Sequence, residues 1–539
     1  MKSAARFVAP AVVFLVYVVI ASFYIGEVPM WDGRQYLVHL QQALSGPFNP
    51  MAFNLFGHPS MAYFIPLGLS LLADSCNLMM LGLANLLLGG LVLLAYFRVV
   101  RHLFPTAGIA ESWLLVLPMA VNPAFHACMA NLNADFGVLV FFVPFLLALL
   151  RRRYFLAALA GAGLVLSKES GVVLFGLSVS GHALVSLLLS PGTPAERLAR
   201  LARLLPLGIP LLVFGGYLAM RASTPSHALL WSNQDAVGLV GSLLRLDLDR
   251  LLLANLLLVF VLQFQWMLSI LPVAWVVFCR PWKPAATSAA SDARPGTDPA
   301  LRLDVAFIAF VFLGALFVLT RFRTFVNVRY FLPLFPLLLL LASASLRELL
   351  PRLPGVRRGF LAILSTLLLA SVFVTADPVS RAIFGTFSFG RHQLLDMTSV
   401  TEEYAGYGRD QLVYNLEFMQ LGRLQDSFLQ DVRPDTGTTI VTHRDANWFS
   451  LGPLERGTYR RTACTSDVVN PTYLRVMALI ADSKAPSELW YLELPNHPDN
   501  QLELQILRTR YLEVEQRVYQ HQGYELRATR FVLNGSASG

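Results

Sequence analysis

The sequence predicts a polytopic α-helical membrane protein with a small exterior α/β domain at its carboxyl end. Of the 539 residues, 55% are apolar and only 14% are charged, whereas soluble domains average about 45–50% and about 25%. The mean hydropathy is +0.56. Apolar stretches of membrane-spanning length recur through residues 1–376, and a soluble composition returns over residues 377–539. We therefore predict a transmembrane domain followed by an exterior domain.

The composition excludes several other classes of protein. A soluble chain of this hydropathy would expose large apolar patches. Basic residues outnumber acidic ones, 42 to 34, but they fall in short clusters and form no stripe typical of nucleic-acid binding. The cysteines have the spacing of neither a disulfide framework nor a zinc site; they are Cys76, Cys128, Cys279 and Cys464.

About eleven stretches approach the roughly 20 apolar residues needed to cross a bilayer. They are 7–26, 77–97, 112–127, 134–150, 154–168, 171–190, 204–220, 252–279, 304–320, 330–346 and 360–376. The first resembles a signal peptide, but it is long and no clear cleavage site follows, so we interpret it as an uncleaved anchor. The shorter apolar stretch 60–73 is assigned to the exterior interface.

Clusters of Lys and Arg on alternate loops predict the orientation. They lie at 2–6, 98–101, 151–153, 197–203, 280–302 and 347–358. These loops are expected to be cytoplasmic, so the amino end is cytoplasmic and, with an odd number of spans, the carboxyl domain is exterior. Residues 281–300, rich in Pro, Ala and Ser, predict a disordered cytoplasmic linker.

The exterior domain is expected to alternate helices and strands, which is typical of an α/β fold. Hydrophobic patterning predicts helices at 409–431, 470–483 and 499–520. Runs of β-branched and aromatic residues predict strands at 438–443, 487–494 and 524–533.

Polar residues in the exterior loops are the candidate site residues. Asp32, in PMWDGRQYLVHL, is expected on a short helix that also carries Tyr36. A carboxylate held at the membrane surface could act as a general base, and a simple helix cap is the alternative. His58, in GHPSMAYF, could bind a phosphate or a metal, or belong only to a turn. Asp135 opens the fourth span, where it is expected to face a cavity or a partner; helix capping by Asn133 or Asp135 is the alternative.

Two further segments carry charge where it is unexpected. Lys168 and Glu169, in LVLSKESGVVLF, are adjacent and cannot face each other on a helix, so distinct partners are predicted. A plain hairpin turn is the alternative. Arg321, Arg323 and Arg329 lie on the side where the topology rule disfavours positive charge. A bound anion such as a lipid phosphate would explain them, and snorkelling to headgroups is the alternative.

As a set, these motifs resemble the GT-C superfamily of integral-membrane glycosyltransferases, particularly bacterial aminoarabinose transferases and protein O-mannosyltransferases. The resemblance covers roughly residues 7–346, and its order and spacing carry more weight than any one motif. The motifs are WDGRQY, GHPSMAYF, NADFGVLVFF, LSKESG and RYFLPLFP.

The resemblance implies a polyprenyl-phosphate sugar as donor and Asp32 as catalytic base. It implies donor-phosphate contacts from Lys168, Arg329 and Arg321. Residues expected to bind or orient substrate are Arg34, Tyr36, His58, Asp135, Glu169 and Tyr330. The resemblance implies no certain cofactor and leaves a divalent metal open. Many relatives carry an acidic pair at the first motif, whereas Gly33 follows Asp32 here.

The expected activity is inverting sugar transfer at the exterior face of a bacterial inner membrane, to a glycan, lipid or protein acceptor. A flippase or transporter for lipid-linked sugars is an alternative, which predicts inverted repeats and broken helices in matching halves. A polysaccharide polymerase is another. The exterior domain is expected to influence acceptor choice without supplying a catalytic group, since His443, Asp445 and His497 show no recognisable pairing.

Overall fold

The protein is described by a computed structural model. It covers residues 4–27, 29, 32–55, 58–75, 77–189, 193–223, 250–279, 299–321, 327–389, 392–396, 412–433, 438–442, 457–458, 472–475, 486–493 and 500–534. The predicted linker at 281–300 lies almost entirely outside these residues, as do Arg323, His443, Asp445 and His497.

Helices occupy every apolar stretch that the sequence predicts to span the membrane. They are α1 Ala4–Ala21, α2 Asp32–Leu44, α3 Met61–Leu69, α4 Leu78–Leu103, α5 Ile109–Ala120, α6 Pro123–Ala130, α7 Ala134–Leu150, α8 Tyr154–Val165, α9 Glu169–Leu184, α10 Pro194–Ala202, α11 Gly208–Ser223, α12 Arg250–Phe260, α13 Gln265–Cys279, α14 Pro299–Leu319, α15 Leu334–Leu349 and α16 Pro354–Phe373. The predicted helical membrane fold is confirmed.

Length and composition support fewer independent spans than the sequence predicts. In the described residues, four helices are long and apolar enough to cross a membrane alone, and counting each bent pair as one span gives six. The bent pairs are α5 with α6, at 55°, and Leu252–Phe260 with Leu262–Phe278, at 53°. Several other apolar helices are shorter than a full span. The count of eleven therefore stays a prediction, and α3, at nine residues, is also too short to cross.

The carboxyl-terminal part, predicted to be exterior, contains helices α17 Pro378–Phe384, α18 Leu412–Val432 and α19 Asn500–Arg510. Its strands are β1 Thr386–Phe389, β2 His392–Leu395, β3 Thr439–Thr442, β4 Gly457–Thr458, β5 Thr472–Arg475, β6 Glu488–Glu493, β7 Tyr511–His521 and β8 Tyr524–Leu533. In the described residues β3 to β8 form one sheet in the order β4-β5-β3-β6-β8-β7, with β3 parallel to both β5 and β6. The predicted small α/β domain is thus present as a mixed sheet with helices.

Two of the helices predicted in the exterior domain are wrong. The start of 470–483 forms strand β5, which pairs with β3 in parallel. The predicted helix 499–520 ends at Arg510, and the chain continues as β7, which pairs antiparallel with β8. Gln522 and Gly523 both have positive φ, as a two-residue type I′ hairpin turn requires. The hairpin's backbone hydrogen bonds outweigh the helical propensity of that segment.

The carboxyl-terminal part packs directly on the apolar helices. Helix α18 contacts both α6 and α16 on one side and strands β7 and β8 on the other. Phe428 of α18 is fully buried and its ring lies edge-on to Trp490 of β6, 5.7 Å between centroids. An ion pair joins Arg423 of α18 to Glu27, just after α1. The hydrophobic core is therefore continuous from the membrane helices into the sheet.

Asp377 fixes the junction between α16 and α17 to the break between α12 and α13. Its buried carboxylate accepts hydrogen bonds from the backbone N–H of Phe264 at 2.8 Å, the indole N–H of Trp266 at 3.2 Å and the hydroxyl of Ser380 at 2.5 Å. Phe264 and its neighbour Gln263 have positive φ, which is costly for residues with side chains. The carboxylate therefore stabilises a bend that the backbone alone disfavours.

Candidate functional site

The candidate site is built where the ends of several helices converge. Helix α2 begins at Asp32, α7 begins after Asn133, and α9 begins after Lys168. A short 3₁₀ helix, Val328–Phe331, brings Arg329 and Tyr330 to the same place. Backbone N–H groups at helix starts favour nearby negative charge. The sequence-predicted residues thus come together from four different segments.

Four charged side chains form a continuous ionic chain across this site. Lys168 Nζ lies 2.7 Å from Asp135 Oδ2. Arg329 Nε lies 3.6 Å from the same Asp135 oxygen, and Arg329 Nη2 lies 2.6 Å from Asp32 Oδ2. The chain of contacts is therefore Lys168, Asp135, Arg329, Asp32, with two cations and two carboxylates. We call it the Lys168–Asp32 chain.

The two carboxylates of this chain differ in their access to solvent. The side chain of Asp32 is 37% exposed, whereas that of Asp135 is 3% exposed. The cations are both buried, with side-chain exposures of 9% for Lys168 and 10% for Arg329. Asp32 is therefore the carboxylate that an incoming molecule can reach, and Asp135 is placed as a buried counter-ion.

Several polar atoms of the site are buried without a hydrogen-bond partner. They include Asn133 Nδ2, a donor, and Asp135 Oδ1, an acceptor. Both residues are only 2% exposed. Buried polar groups are normally hydrogen-bonded, because leaving one unpaired costs about 1–3 kcal/mol.

Two tyrosines line the ionic chain. Tyr36, on α2, is 4% exposed, and its ring packs on Phe64 with 5.1 Å between centroids. Burial, followed by the negative charge of Asp32, raises the pKa of Tyr36 well above its usual value, so the hydroxyl stays neutral. The Lys168 ammonium lies 4.3 Å from the centre of the Tyr330 ring, a cation–π distance. Tyr330 therefore helps to hold Lys168 in position.

Lys168 and Glu169 have different partners, as their adjacency predicts. Whereas Lys168 faces Asp135, Glu169 Oε2 lies 2.8 Å from His58 Nδ1. His58 is largely buried, with 13% of its side chain exposed, and Glu169 is 44% exposed. The His58–Glu169 pair joins the loop before α3 to the start of α9. A plain hairpin turn at Lys168 and Glu169 does not account for these contacts.

Arg321 and Arg34 are also predicted to contact substrate. The guanidinium of Arg321 packs over Phe317, 4.3 Å from the ring centre, at the end of α14. The backbone of Arg34 belongs to α2, but its side chain lies outside the described part of the chain. Their predicted roles at the donor phosphate and in substrate binding stay predictions.

Gly33 shows why a second acid does not follow Asp32. A Cβ at this position would lie 2.1 Å from the backbone carbonyl oxygen of Asn131. Both Asp32 and Asp135 are already neutralised by Arg329 and Lys168. Among the described residues, no group of three or more metal-ligating side chains is found. The residues present here do not fit a metal centre built on paired carboxylates.

Two asparagines contribute to the site in ways that the sequence did not indicate. Asn133 sits at the N-cap position of α7 but makes no side-chain cap hydrogen bond. Instead its Oδ1 accepts from Arg329 Nη1 at 3.2 Å. Asn327 Oδ1 accepts from the backbone N–H of Arg329 at 3.1 Å, which fixes the turn that carries the guanidinium. The sequence signal that could have indicated the role of Asn327 is its position two residues before a buried Arg.

Fold and charged site together define a polytopic helical membrane protein with a buried ionic site at one end of its helices. Two solved structures with this fold are those of ArnT from Cupriavidus metallidurans, one bound to undecaprenyl phosphate and one in the apo state. Their TM-scores are 0.51 and 0.52, each at 13% sequence identity and each covering 97% of both chains. The predicted GT-C resemblance is confirmed at the level of the fold.

At this identity the likeness shows the fold alone. No family model matches the sequence, and no curated protein matches it either. The role of each site residue therefore has to be argued from the chemistry of the site.

Proposed function

We propose that this protein is a membrane glycosyltransferase that moves a sugar from a polyprenyl-phosphate donor to an acceptor at the exterior face. The observation that carries the proposal is the Lys168–Asp32 chain, in which one accessible carboxylate stands at the end of a row of buried charges. Support comes from the fold, which the chain shares over 97% of its length with an ArnT structure bound to undecaprenyl phosphate.

Asp32 is the base in this proposal. Its carboxylate takes the proton from an acceptor hydroxyl or amine, and the acceptor attacks the anomeric carbon from the side opposite the phosphate. The bond from the anomeric carbon to the phosphate oxygen breaks, and its electron pair stays with polyprenyl phosphate. The configuration is inverted, as in inverting glycosidases. The exposure of Asp32 supports this assignment, because Asp135 is too deeply buried for an acceptor to reach.

Lys168 and Arg329 are the donor-phosphate ligands in this proposal. Negative charge grows on the phosphate as the bond breaks, so fixed cations stabilise the transition state more than the ground state. Arg329 has a second function in this proposal, since its Nη2 also lies 2.6 Å from Asp32 Oδ2. A phosphate that draws the guanidinium towards itself releases Asp32 to act on the acceptor. Donor binding would thus precede activation of the base.

A transporter of lipid-linked sugars is the second candidate, and one observation favours it. The two bent helix pairs, at 55° and 53°, are a feature that broken-helix transporters share. A transporter moves the intact lipid-linked sugar, whereas a transferase cleaves it.

The test compares the wild-type protein with an Asp32→Asn variant in a strain that lacks the protein. Surface glycans and accumulated lipid-linked sugars are measured by mass spectrometry. Loss of one glycan addition with accumulation of its lipid-linked donor, restored by wild type and not by Asp32→Asn, supports the transferase. Full restoration by Asp32→Asn with normal membrane insertion contradicts it and favours transport.

A further inference from the structure

A cluster of arginines lies at the far end of the membrane helices from the candidate site. It surrounds Glu111, in the first turn of α5. Arg347, in the last turn of α15, lies 2.8 Å from Glu111 Oε1. Arg357 and Arg358, near the start of α16, lie 3.7 Å and 3.8 Å from the two Glu111 oxygens. We call these four residues the Glu111 cluster.

The charges of the Glu111 cluster do not balance. Three guanidinium groups face a single carboxylate, which leaves two positive charges in excess. Only Arg347 is close enough to Glu111 for a hydrogen bond, donated by Nη2. Arg357 donates from Nη1 to the Leu350 carbonyl at 3.1 Å, but its Nε is buried without a partner. The cluster therefore has hydrogen-bond donors for which its own residues supply no acceptor.

The position of the cluster makes the excess charge more costly. Arg357 lies in the first turn of α16 and Arg358 directly follows it, near the end of the helix where the dipole favours anions and disfavours cations. The Arg347 guanidinium lies 4.5 Å from the centre of the Phe104 ring, a cation–π distance. An anion at this place would offset both the excess charge and the unfavourable dipole.

The surroundings of the cluster fit a lipid. Arg358 is 58% exposed, so the cluster opens outwards rather than into the protein. Leu353 and Val356, at the start of the same helix, are 50% and 53% exposed. Apolar side chains beside an open basic cluster offer contacts for acyl chains next to those for a headgroup phosphate.

We propose that the Glu111 cluster binds the phosphate of an anionic phospholipid, such as phosphatidylglycerol, in the leaflet opposite the candidate site. Arginine fits a phosphate through paired charge-assisted hydrogen bonds. Basic pockets between transmembrane helices are suited to anionic headgroups. The leaflet is the one that the basic loops predict to be cytoplasmic. The proposal is independent of the proposed transfer reaction, because it uses none of the same residues.

The test uses the purified full-length protein in detergent micelles. Native mass spectrometry measures lipid retained on the protein, and thermal unfolding measures the stabilisation. Phosphatidylglycerol is compared with phosphatidylcholine of the same acyl chains and with inorganic phosphate. We expect retention of phosphatidylglycerol and a raised Tm, with no comparable effect from the other two.

Two matched variants distinguish lipid binding by the Glu111 cluster from a general effect of positive charge on this surface. Arg358→Gln removes an exposed member of the cluster, and we expect it to weaken phosphatidylglycerol binding about fivefold. Arg352→Gln removes the same charge from an exposed residue of the loop between α15 and α16, outside the Glu111 cluster. Binding should therefore stay at the wild-type level. Equal retention of both lipids, equal weakening by both variants, or equal stabilisation by inorganic phosphate would each overturn the proposal.

Discussion

The guanidinium of Arg329 lies 2.6 Å from the carboxylate of Asp32, although Asp32 opens α2 and Arg329 lies just before α15. This contact closes the Lys168–Asp32 chain and pairs the proposed base with one of the proposed phosphate ligands. The proposed reaction therefore depends on an exchange of partners by Arg329. We therefore expect substitutions at the different site residues to change donor binding and turnover in different ways.

Replacing Asp32 by Asn should stop transfer without preventing donor binding. The amide keeps the size of the side chain but cannot take a proton, so turnover should fall by about 10²–10⁴. Binding of undecaprenyl phosphate by the purified variant should persist. Asp74→Asn serves as a control, since Asp74 is an exposed acid in the same predicted exterior loop. Wild-type turnover in Asp32→Asn would show that another group is the base.

Replacing Lys168 by Ala should lower both donor affinity and turnover. The ammonium would hold the phosphate in the ground state and stabilise it further as it leaves. Lys168→Arg is the informative control, because a wider planar fork cannot occupy the place of a compact ammonium between Asp135 and Tyr330. Kinetics with purified donor would measure both effects. Full activity in Lys168→Arg would indicate that only a charge is needed there.

Neutralising Asp135 should destabilise the fold more than any other change in the site. Asp135→Asn leaves the ammonium of Lys168 buried without its counter-ion, at a cost of about 3–5 kcal/mol. The double variant Asp135→Asn, Lys168→Met removes both charges and should regain most of that stability. Thermal unfolding in detergent would measure this. The double variant should still be inactive, which separates stability from catalysis.

Gly33→Ala should impair the site although it adds only one methyl group. The new Cβ would meet the Asn131 carbonyl at 2.1 Å, so α2 or the loop before α7 must move. Such a shift displaces Asp32 relative to Arg329, and turnover should fall at least about tenfold, because catalysis is sensitive to small misplacements. Gly46→Ala is a matched control, since nothing lies within 4 Å of its Cβ position. Equal activity of the two variants would contradict this expectation.

The contact between α18 and the exterior sheet should weaken in acid. Hydrogen bonds, first from Tyr519 and then from Arg517, lower the pKa of Asp431 below its usual value of 3.8. Because the pKa of Asp431 is lower in the folded state, its ionised form stabilises the fold above pH 3.8. This stabilisation is lost as the pH falls through the folded-state pKa. Hydrogen exchange at the β7 amides, compared between pH 5 and pH 3, would measure this. In Asp431→Asn the acid-induced increase in exchange should be smaller.

The orientation of the chain can be tested by reporter fusions. The basic loops predict that a fusion after Phe384 reports the exterior and that one within residues 281–300 reports the cytoplasm. An inverted result at either position would move the Lys168–Asp32 chain to the other face or change the number of spans. The reporters do not depend on activity, so this outcome is independent of the proposed reaction.

Much of the site could be predicted from the sequence because unusual charge is conspicuous in an apolar chain. Asp32, Asp135, Lys168 and Arg329 each interrupt or border an apolar stretch, and the structure brings all four together. Their pairing could not be predicted, because it depends on how helices distant in sequence pack. For the same reason, the alternative that the Asn133 side chain caps α7 is not observed: its side chain accepts a hydrogen bond from Arg329 instead.

The exterior domain was predicted less well because its segments are short and its sheet pairing is non-local. Strand β7 carries enough charged residues to look like a polar helix, and only its pairing with β8 settles its conformation. The Gln522–Gly523 turn was the available signal. Strand β5 pairs with β3, a partner far away in sequence, which local patterning does not reveal. Asp377, which holds the bend between α12 and α13, had no sequence signature either.

Helix α15 begins just after Arg329 and Tyr330 and carries Arg347 in its last turn. Its 16 residues span about 24 Å at 1.5 Å per residue, which is less than the roughly 30 Å of an average hydrocarbon core. Arg329 lies before the helix, in a 3₁₀ turn that adds about 2.0 Å per residue. If Arg347 is anchored to headgroups at one surface, the Lys168–Asp32 chain therefore lies close to the other surface of a bilayer of average thickness. The depth of the reaction would then be set by bilayer thickness, so thicker membranes should hinder the approach of a water-soluble acceptor.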